Sequence, residues 1–452
     1  MTKLLLDHAL LPGGWAQAVG IDIADGAITA VEAGASAEGR ERVAGVALPG
    51  LPNLHCHAFQ RGMAGLAERR GPAGDSFWSW RQLMYRFLAE ISPEDAEVLA
   101  RQAYMEMLES GFTTVGEFHY LHHAPDGRPY ANLAEMAERI AAAADATGIG
   151  LTLLPCLYGY GSFGGAPATE GQRRFLNDPE RFLRLVEGAR AAVARLPDAG
   201  LGIAPHSLRA VTPETLRSVV EATPEGPIHI HAAEQVKEVE DSLAWSGLRP
   251  VEWLLRHADL DERWCLIHAT HMTEAETAAV ARRGAVVGLC PLTEASLGDG
   301  IFDGVGYRAA GGRFGVGSDS NIEITAPGEL KQLEYSQRLA HRIRNAMTLQ
   351  EGESTGRVLY EAALRGGTQA MARPVGALEP GRRADIVVLD RDLPEMAAVT
   401  GDRWLDVYLF VHGRRAVRDV YVGGRRQVEN GVHVDRAATQ AAFGRVVARL
   451  AA

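Results

Sequence analysis

The sequence predicts an α/β protein in which a (β/α)8 barrel of the TIM type carries a small, discontinuous β-sandwich domain built from both termini. Residues from about 49 to 370 alternate short apolar segments with amphipathic ones, which is the pattern of parallel β/α units. Eight of the apolar segments resemble strands, the number that closes such a barrel. Short strands and tight turns dominate both ends, and 452 residues suffice for one large and one small domain.

The small domain is assigned to residues 1–48 and 371–452. In its N-terminal part, Asp25-Gly26 separates two runs of alternating apolar and polar residues, which is a signal for a β-hairpin. Its C-terminal part contains three segments with the composition of strands, at residues 384–390, 407–413 and 420–428. We therefore expect the two ends of the chain to meet in one β domain outside the barrel.

The barrel is assigned to residues 49–370. Its eight predicted strands are residues 52–57, 113–119, 150–157, 201–206, 227–231, 264–268, 285–290 and 313–318. A representative helix begins after Ser92, with Pro93 at its first position and acidic residues in its first turn, and ends before Gly111. Since chemistry in this fold collects at the C-terminal ends of the strands, polar residues at those ends are the first candidates for a functional site.

Composition narrows the possible classes of protein. No apolar run approaches the roughly 18 residues that a membrane span requires, and the net charge of −11 argues against a nucleic-acid partner. The first residues carry too short an apolar run for a signal peptide, so a cytoplasmic protein is expected. The cysteines have no paired spacing and are predicted to be reduced: Cys56, Cys156, Cys265 and Cys290.

The first barrel strand ends in two histidines, His55 and His57, separated by one residue. Residues two apart on a strand point to the same side, so both imidazoles can reach one point. That arrangement predicts two ligands of a metal ion, and metal sites take three or four ligands. The remaining ligands are therefore sought at other strand ends.

Histidines also occur on the fifth and sixth strands. His231 lies closer to the C-terminal end of the fifth strand than His229, which is predicted to pack one layer lower, and Glu234 follows three residues later. On the sixth strand, His268 at the strand end is favoured over His271 in the following loop. A carboxylate three residues beyond a metal ligand suits an acid that moves protons.

The eighth strand brings Asp319 to the same rim, where its carboxylate can bind a metal ion and accept a proton. This set of strand-end residues resembles the amidohydrolase superfamily of metal-dependent hydrolases, and the segment 376–389 resembles the return segment of such proteins. Members with two metal ions need a carboxylated lysine at the end of the fourth strand, and no lysine lies between Lys3 and Lys237. The resemblance therefore implies one Zn²⁺ per subunit, bound by His55, His57, His231 and Asp319.

The H-x-x-E spacing from His231 to Glu234 is similar to the deaminase branch of that superfamily. Within it, the stretches 57–63, 116–123 and 204–209 resemble the family of formimidoylglutamate deiminases, which release ammonia from N-formimidoyl-L-glutamate during histidine degradation. Arg209 offers a planar fork for a carboxylate. The resemblance implies that the substrate, a small dicarboxylate, is bound by Gln60, Arg81, Tyr120, His206 and Arg209.

The catalytic residues are predicted to be Glu234, His268 and Asp319. Asp319 would accept a proton from the attacking water. Glu234 would pair with the cationic amidine and protonate the leaving nitrogen, while His268 would stabilise the attacking hydroxide and the tetrahedral adduct. Relatives in the superfamily often dimerise, so a homodimer is expected.

Two other functions remain open at this stage. A mononuclear nucleobase or nucleoside deaminase would need aromatic stacking and amide contacts in place of two arginines, and its activity on a base would distinguish it. A non-catalytic scaffold barrel would lack metal ligands, yet a complete ligand set is present in the sequence. Metal content distinguishes the scaffold from either enzyme.

Overall fold

A computed structural model describes residues 2–70 and 75–450. The chain begins with four strands: β1 Thr2–Leu11, β2 Gly14–Ala24, β3 Ala27–Glu32 and β4 Glu41–Pro49. Strands β2 and β3 pair antiparallel across Asp25 and Gly26, whose φ angles of 50° and 80° are those of a tight two-residue turn. The hairpin predicted at Asp25-Gly26 is confirmed.

The next strands form the parallel barrel: β5 Leu51–Cys56, β6 Phe112–His119, β7 Gly150–Leu157, β8 Ala199–Leu201, β9 Ala204–Pro205, β10 Ile228–Ala232, β11 Trp264–His268, β12 Val286–Leu289 and β13 Arg313–Val316. They pair in the order β10-β11-β12-β13-β5-β6-β7-β8, with β9 also on β7. A parallel bridge between Ile203 and Ile228 joins the two ends. The predicted barrel is confirmed, with its fourth strand divided into β8 and β9.

The helices of the chain lie mainly between the barrel strands: α1 Phe77–Leu88, α2 Pro93–Glu109, α3 Glu135–Thr147, α4 Pro179–Val193, α5 Pro213–Ala222, α6 Val236–Ser246, α7 Pro250–His257, α8 Glu274–Arg283, α9 Pro291–Leu297, α10 Gly304–Ala309, α11 Ala326–His341, α12 Thr355–Met371, α13 Pro394–Ala397, α14 Arg403–Val407 and α15 Arg436–Leu450. Helix α2 begins at the predicted Ser92 cap. Helix α1 begins after Ser76, whose side chain caps its first turn. Among the described residues, we find no helix with the length and apolarity to span a membrane.

The last strands return to the N-terminal sheet: β14 Ile386–Leu389, β15 Val417–Val422, β16 Arg425–Glu429 and β17 Val432–His433. Together the strands of both termini give one hydrogen-bonded series, β17-β16-β15-β14-β4-β1-β2-β3. One side of this series packs into a core of its own, which includes Leu6, Ile21, Val43 and Val388. The expected small β domain from both termini is therefore confirmed, while the boundaries 1–48, 371–452 and 49–370 stay a prediction.

The strand predicted at residues 407–413 is wrong. This apolar and aromatic segment is helical, as the end of α14 followed by a π-helical turn at Tyr408–His412. Tyr408 and Leu409 are fully buried, and the Tyr408 hydroxyl donates a hydrogen bond of 3.1 Å to the carbonyl of Ser110. Packing against the barrel helices therefore overrides the strand preference of the side chains.

Helix α15 leaves the sheet of the small domain and packs against α2. Two ion pairs join the helices, between Arg449 and Asp95 at 2.5 Å and between Arg436 and Glu109 at 3.3 Å. Phe443 and neighbouring apolar residues of α15 pack against a buried cluster in the wall of the barrel. The C-terminus is thereby attached to the barrel.

Candidate functional site

Four side chains from three strand ends meet at the C-terminal mouth of the barrel. His55 lies on β5, His57 directly follows it, His231 lies on β10 and Asp319 follows β13. The Nε2 atoms of His55 and His57 each lie 3.3 Å from Oδ1 of Asp319, and His231 Nε2 lies 3.2 Å from His55 Nε2. One ligand atom from each of the four residues lies within 4.8 Å of all the others.

The backbone explains why Asp319 reaches this point. Its N–H donates to the carbonyl of His55 at 2.9 Å, and His57 N–H donates to the carbonyl of Asp319 at 3.0 Å. Asp319 also adopts a left-handed φ of 42°, which turns its side chain back toward β5. The side chain of Asn321 donates 3.0 Å bonds to the carbonyls of both His57 and Asp319, so it joins the ends of the first and eighth strands.

The donor set fits a metal cation. His57 and His231 donate their Nδ1 hydrogens to the backbone carbonyls of Phe118 and His206, at 2.9 and 3.0 Å, so their Nε2 lone pairs face the centre of the cluster. Burial lowers the pKa of His55 to about 3, which keeps that imidazole neutral. Lone pairs that converge on a carboxylate oxygen repel one another unless a cation lies between them, so the geometry suits a bound metal ion.

His268 and Glu234 lie beside this cluster. His268 Nε2 is 3.7 Å from both Glu234 Oε1 and Asp319 Oδ2, and its Nδ1 is 3.2 Å from Glu294 Oε1. Burial alone would lower the pKa of His268, but the surrounding carboxylates of Glu234, Glu294 and Asp319 raise it to about 10. The surrounding carboxylates therefore favour the protonated form of the imidazole.

Glu234 and Asp319 differ in their affinity for a proton. Burial raises the pKa of Glu234 above its ordinary value, against the opposing charges of His268 and Arg209. Burial would raise the pKa of Asp319 as well, but the neighbouring imidazoles of His55, His57 and His268 hold it below its usual range. One carboxylate is thus suited to carry a proton and the other to remain ionised.

A cavity opens above these groups. Its wall includes aromatic side chains, among them Phe77, Trp80 and Tyr158. The five residues predicted to bind substrate also line it: Gln60, Arg81, Tyr120, His206 and Arg209. The structure therefore brings together all the predicted site residues, from six different strand ends and α1.

The two arginines of the cavity have unpaired donors. Arg209 is 6% exposed, yet its Nε and Nη1 atoms have no hydrogen-bond partner among the described residues, and the same holds for Nε of Arg81. Arg81 stacks over Trp78, with its Cζ 4.6 Å from the ring centre. Burial would lower the pKa of Arg209, but Glu238 and Glu234 raise it. Buried, charged and unpaired N–H groups are ready to bind an anion.

The polar partners in the cavity are arranged around Gln60. Its amide nitrogen donates a 2.8 Å hydrogen bond to the hydroxyl of Tyr120, and its oxygen has no partner among the described residues. Nδ1 of His206 lies 2.9 Å from the hydroxyl of Ser207, while burial holds the pKa of His206 well below its usual value. These neutral groups offer both donors and acceptors to a polar ligand.

His229 and His271, which the sequence did not favour as site residues, lie outside the cluster of proposed metal ligands. Nε2 of His229 bonds to the carbonyl of Ala370 at 2.8 Å, beneath the site and against α12. His271 bonds through Nε2 to the carbonyl of Asp299 at 2.8 Å. Each has a structural partner of its own.

Glu294 and Asn321 are among the supporting residues of the site that the sequence did not reveal. Glu294 faces His268 and accepts the N–H of Cys290 at 2.8 Å, and Asn321 joins two strand ends as described above. Asn321 could have been found from the polar G-S-D-S-N stretch after the eighth strand. Glu294 gave no such signal, since it lies in α9 after the seventh strand, which carries no predicted ligand.

Comparison with known proteins agrees with this architecture. A model of the amidohydrolase family matches residues 46–426, and a model described as the N-terminal domain of formimidoylglutamate deiminase HutF matches residues 4–45. The chain is 52% identical to a formimidoylglutamate deiminase of Pseudomonas aeruginosa, over 100% of both chains. It is 29% identical to an 8-oxoguanine deaminase of the same species, over 85% of this chain and 83% of that relative.

Solved structures with the same architecture are also found. An amidohydrolase from Brucella melitensis has a TM-score of 0.96 and 55% identity, and the match covers 100% of both chains. An adenosine deaminase from Xanthomonas campestris, solved with bound zinc, has a TM-score of 0.82 at 22% identity, covering 100% of this chain and 98% of that one. At this level of identity, the match to the adenosine deaminase shows that the two proteins share a fold.

Proposed function

The chain belongs to the amidohydrolase family, and on that basis we propose that it hydrolyses N-formimidoyl-L-glutamate to N-formyl-L-glutamate and ammonia, a step of histidine degradation. It is a hydrolase that acts on a C–N bond of a linear amidine. The observation that carries the proposal is the pair of arginines, Arg81 and Arg209. Each has at least one N–H group without a hydrogen-bond partner among residues 2–70 and 75–450, and both line the same cavity as the histidine and aspartate cluster. The close relative from Pseudomonas aeruginosa bears the name of this activity.

The metal ion is proposed to be zinc, one per subunit. Three imidazole nitrogens and one carboxylate oxygen, from His55, His57, His231 and Asp319, are a ligand set that zinc accepts. A zinc ion at this position would lower the pKa of a bound water, so that hydroxide would be available as the nucleophile at neutral pH. The absence of lysine between Lys3 and Lys237 supports a single ion.

Asp319 is proposed to accept the proton of the attacking water. Its Oδ1 faces the two histidines of the first strand, whereas its Oδ2 lies 3.7 Å from His268. The second oxygen is therefore available for the proton. The imidazolium of His268, on the same side, would stabilise negative charge on the attacking oxygen and on the tetrahedral adduct.

Glu234 is proposed to orient the substrate and to protonate the leaving group. A formimidoyl group is an amidinium cation at neutral pH, and the buried Glu234 carboxylate can pair with it. As the adduct collapses, the Glu234 carboxylate takes the proton of the adduct's hydroxyl group and passes it to the leaving nitrogen, which departs as ammonia. The carbon keeps its other nitrogen as a formyl amide, and the proton accepted by Asp319 is released to solvent. The raised pKa of Glu234 suits this transfer.

Substrate selection is proposed to rest on the two carboxylates of glutamate. Arg81 and Arg209 supply two cationic groups, one for each carboxylate, and Gln60, Tyr120 and His206 supply polar contacts between them. The chain as a whole carries a net charge of −11, so this local basic pair is needed to attract an anionic substrate.

The test compares ammonia release by the zinc-loaded protein from four compounds: N-formimidoyl-L-glutamate, guanine, cytosine and adenosine. We expect turnover of the first alone. Turnover of a base, without turnover of N-formimidoyl-L-glutamate, would replace the proposal with a nucleobase or nucleoside deaminase. A folded protein that binds no stoichiometric zinc would favour the scaffold function instead.

The enzyme is further proposed to be a cytoplasmic homodimer that acts on a small molecule. The resemblance to dimeric members of the superfamily supports the dimer, and an intracellular amino-acid breakdown product as substrate supports the cytoplasm. Light scattering should give twice the chain mass of 48.6 kDa. A mass equal to that of one chain would contradict the dimer.

A further inference from the structure

Glu238 is a buried carboxylate that the proposed reaction does not use. It lies in the first turn of α6 and is 0% exposed. It lies four residues beyond Glu234, and its two oxygens point back to the chain segment that carries that residue. Burying a carboxylate is costly unless its oxygens are paired, so its partners indicate what it does.

Both oxygens of Glu238 accept backbone hydrogens next to the catalytic acid. Oε1 accepts the N–H of Ala233 at 3.2 Å, and Oε2 accepts the N–H of Glu234 at 3.1 Å. Ala233 has a left-handed φ of 51°, an unfavourable conformation for a residue with a Cβ atom. The two hydrogen bonds therefore stabilise a strained peptide that directs the Glu234 side chain into the cavity.

Glu238 also faces the arginine of the substrate cavity. Its Oε2 lies 3.9 Å from Nη2 of Arg209, and Oε2 of Glu234 lies 3.5 Å from the same nitrogen. Nη2 is thereby directed toward the two glutamates, and Nε and Nη1 of Arg209, which have no hydrogen-bond partner in the part of the chain that the structure describes, remain available to a ligand. One buried carboxylate thus contacts the main chain of the catalytic acid and the side chain of the anion anchor.

We propose that Glu238 is a positioning residue that fixes Glu234 and Arg209 relative to each other. The amidine and one carboxylate of the same substrate molecule can then bind to these two residues at once. The inference rests on the proposed function. Glu238 is not among the residues that line the cavity, whereas Glu234 and Arg209 are, so it would act through those two residues. Its loss should affect kcat through Glu234 and KM through Arg209.

A simpler role for Glu238 would be to cap the N-terminus of α6, since acidic side chains near a helix start commonly accept backbone hydrogens. Glu276 of α8 provides a matched control for that role. It is buried, accepts the N–H groups of Thr273 and Glu252 at 2.7 and 3.0 Å, and faces Arg249 at 3.1 Å. Glu276 is not among the residues that line the substrate cavity.

The experiment measures kcat, KM and thermal midpoint of zinc-loaded wild-type protein and of the variants Glu238→Gln, Glu276→Gln, Arg209→Ala and Arg209→Ala/Glu238→Gln. The amide of Gln has a single acceptor atom, so one of the two backbone N–H groups loses its partner. We expect Glu238→Gln to lower kcat/KM by about 10- to 100-fold. Its thermal midpoint should fall no further than that of Glu276→Gln, whose kinetics should match the wild type.

The double variant separates positioning from capping. If Glu238 aligns Arg209, its effect on KM should disappear once Arg209 has been removed, whereas the effect on kcat should remain. Unchanged kcat/KM in Glu238→Gln, or effects on KM that add in the double variant, would overturn the inference. If Glu238→Gln does not fold, Glu238→Asp replaces it, because the shorter acid keeps the charge but cannot reach both backbone groups.

A crystal structure of zinc-loaded Glu238→Gln tests the same inference without activity. We expect a displaced peptide between Ala233 and Glu234 or a rotated Arg209 guanidinium, and unchanged positions of both would overturn it. Wild-type protein that releases no ammonia from N-formimidoyl-L-glutamate would overturn the proposed function. Active wild-type protein together with a fully active Glu238→Gln variant would overturn only the role of Glu238.

Discussion

Glu234 lies between an imidazole and a guanidinium, with His268 Nε2 at 3.7 Å and Arg209 Nη2 at 3.5 Å. The charges of both neighbours oppose the effect of burial, which nevertheless raises the pKa of Glu234, and a cationic substrate would compete with these neighbours for its carboxylate. The exchange of partners on substrate binding would place the amidine at Glu234 and a substrate carboxylate at Arg209. Recognition and chemistry are therefore carried by adjacent residues.

The first prediction concerns Glu234→Gln, which keeps the shape of the side chain but removes its ability to carry a proton between groups. We expect kcat to fall by roughly 10²- to 10⁴-fold, with zinc content unchanged, because Glu234 is not among the proposed ligands. Steady-state kinetics and metal analysis check both points. Glu240→Gln, on the exposed side of α6, is the control, and full activity in Glu234→Gln would contradict the role.

The second prediction concerns Arg209→Ala, which removes one anchor for a substrate carboxylate. We expect a raised KM with a smaller change in kcat, and a loss in kcat/KM of roughly 10²-fold for a buried charged hydrogen bond. Arg217→Ala, an exposed substitution on the neighbouring helix α5, is the control. An unchanged kcat/KM in Arg209→Ala would remove that residue from the substrate site.

For single residues, the sequence predicts membership of the site when the residue lies at or just after the end of a barrel strand. His55, His57 and Asp319 could be placed together because the barrel gathers those ends on one rim. Glu238 and Glu294 could not, because their importance depends on contacts across the fold: one faces Arg209 and the other faces His268. Nothing in the spacing of helical glutamates distinguishes these two from ordinary surface acids.

Among the elements, β6 and α2 enclose an acidic residue of their own. Glu117 of β6 is 1% exposed and accepts hydrogens from Ala58 N and the Tyr104 hydroxyl, at 2.9 and 3.0 Å. Burial raises the pKa of its carboxyl from 4.5 to about 7, despite these hydrogen bonds. The strand therefore contains a group that is protonated in the folded chain under mildly acidic conditions.

The third prediction follows from this pKa. Between pH 4.5 and about 7 the folded state retains a proton that the unfolded state has lost, so this group makes the free energy of unfolding fall as pH rises. Glu117→Gln mimics the protonated acid and should remove that slope, gaining up to about 3 kcal/mol over wild type across the interval. Urea unfolding at several pH values checks it, with exposed Glu225→Gln as control. A pH-independent difference between wild type and Glu117→Gln would contradict it.

Elements with local signals could be predicted, and elements determined by packing could not. Helix α2 has its start signal at Ser92, whose side chain accepts the N–H of Asp95 at 3.1 Å. The segment from Val407 to His412 has strand-like side chains but lies against α11, where Phe410 stacks on Tyr335 at a ring separation of 6.0 Å. Contacts with residues far away in the sequence decide its conformation, and no local pattern encodes them.

In the molecule as a whole, α15 connects the end of the chain to the wall of the barrel. The division of the sequence into a central barrel and β-rich ends could be predicted from the alternation of patterns. The course of α15 could not, since its apolar residues, such as Phe443 and Val446, contact a surface formed much earlier in the chain.

The fourth prediction tests this connection. Phe443→Ala removes a half-buried ring from the contact between α15 and the barrel, and should lower the free energy of unfolding by about 1–2 kcal/mol. Arg445→Ala, on the exposed side of the same helix, should have little effect. Denaturant unfolding of both variants provides the measurement, and equal stabilities would show that α15 does not stabilise the barrel.

Strand β4 lies between β1 and β14 in the small domain, and β14 comes from the opposite end of the sequence. During synthesis, one edge of β4 stays without its partner until nearly the whole chain has left the ribosome. Such pairing carries a large loop-closure cost and slows folding, and an open strand edge invites association with other chains. The sheet of the small domain can therefore be completed only after β14 has been synthesised, and the yield of folded protein on expression should depend on whether nascent chains are prevented from associating.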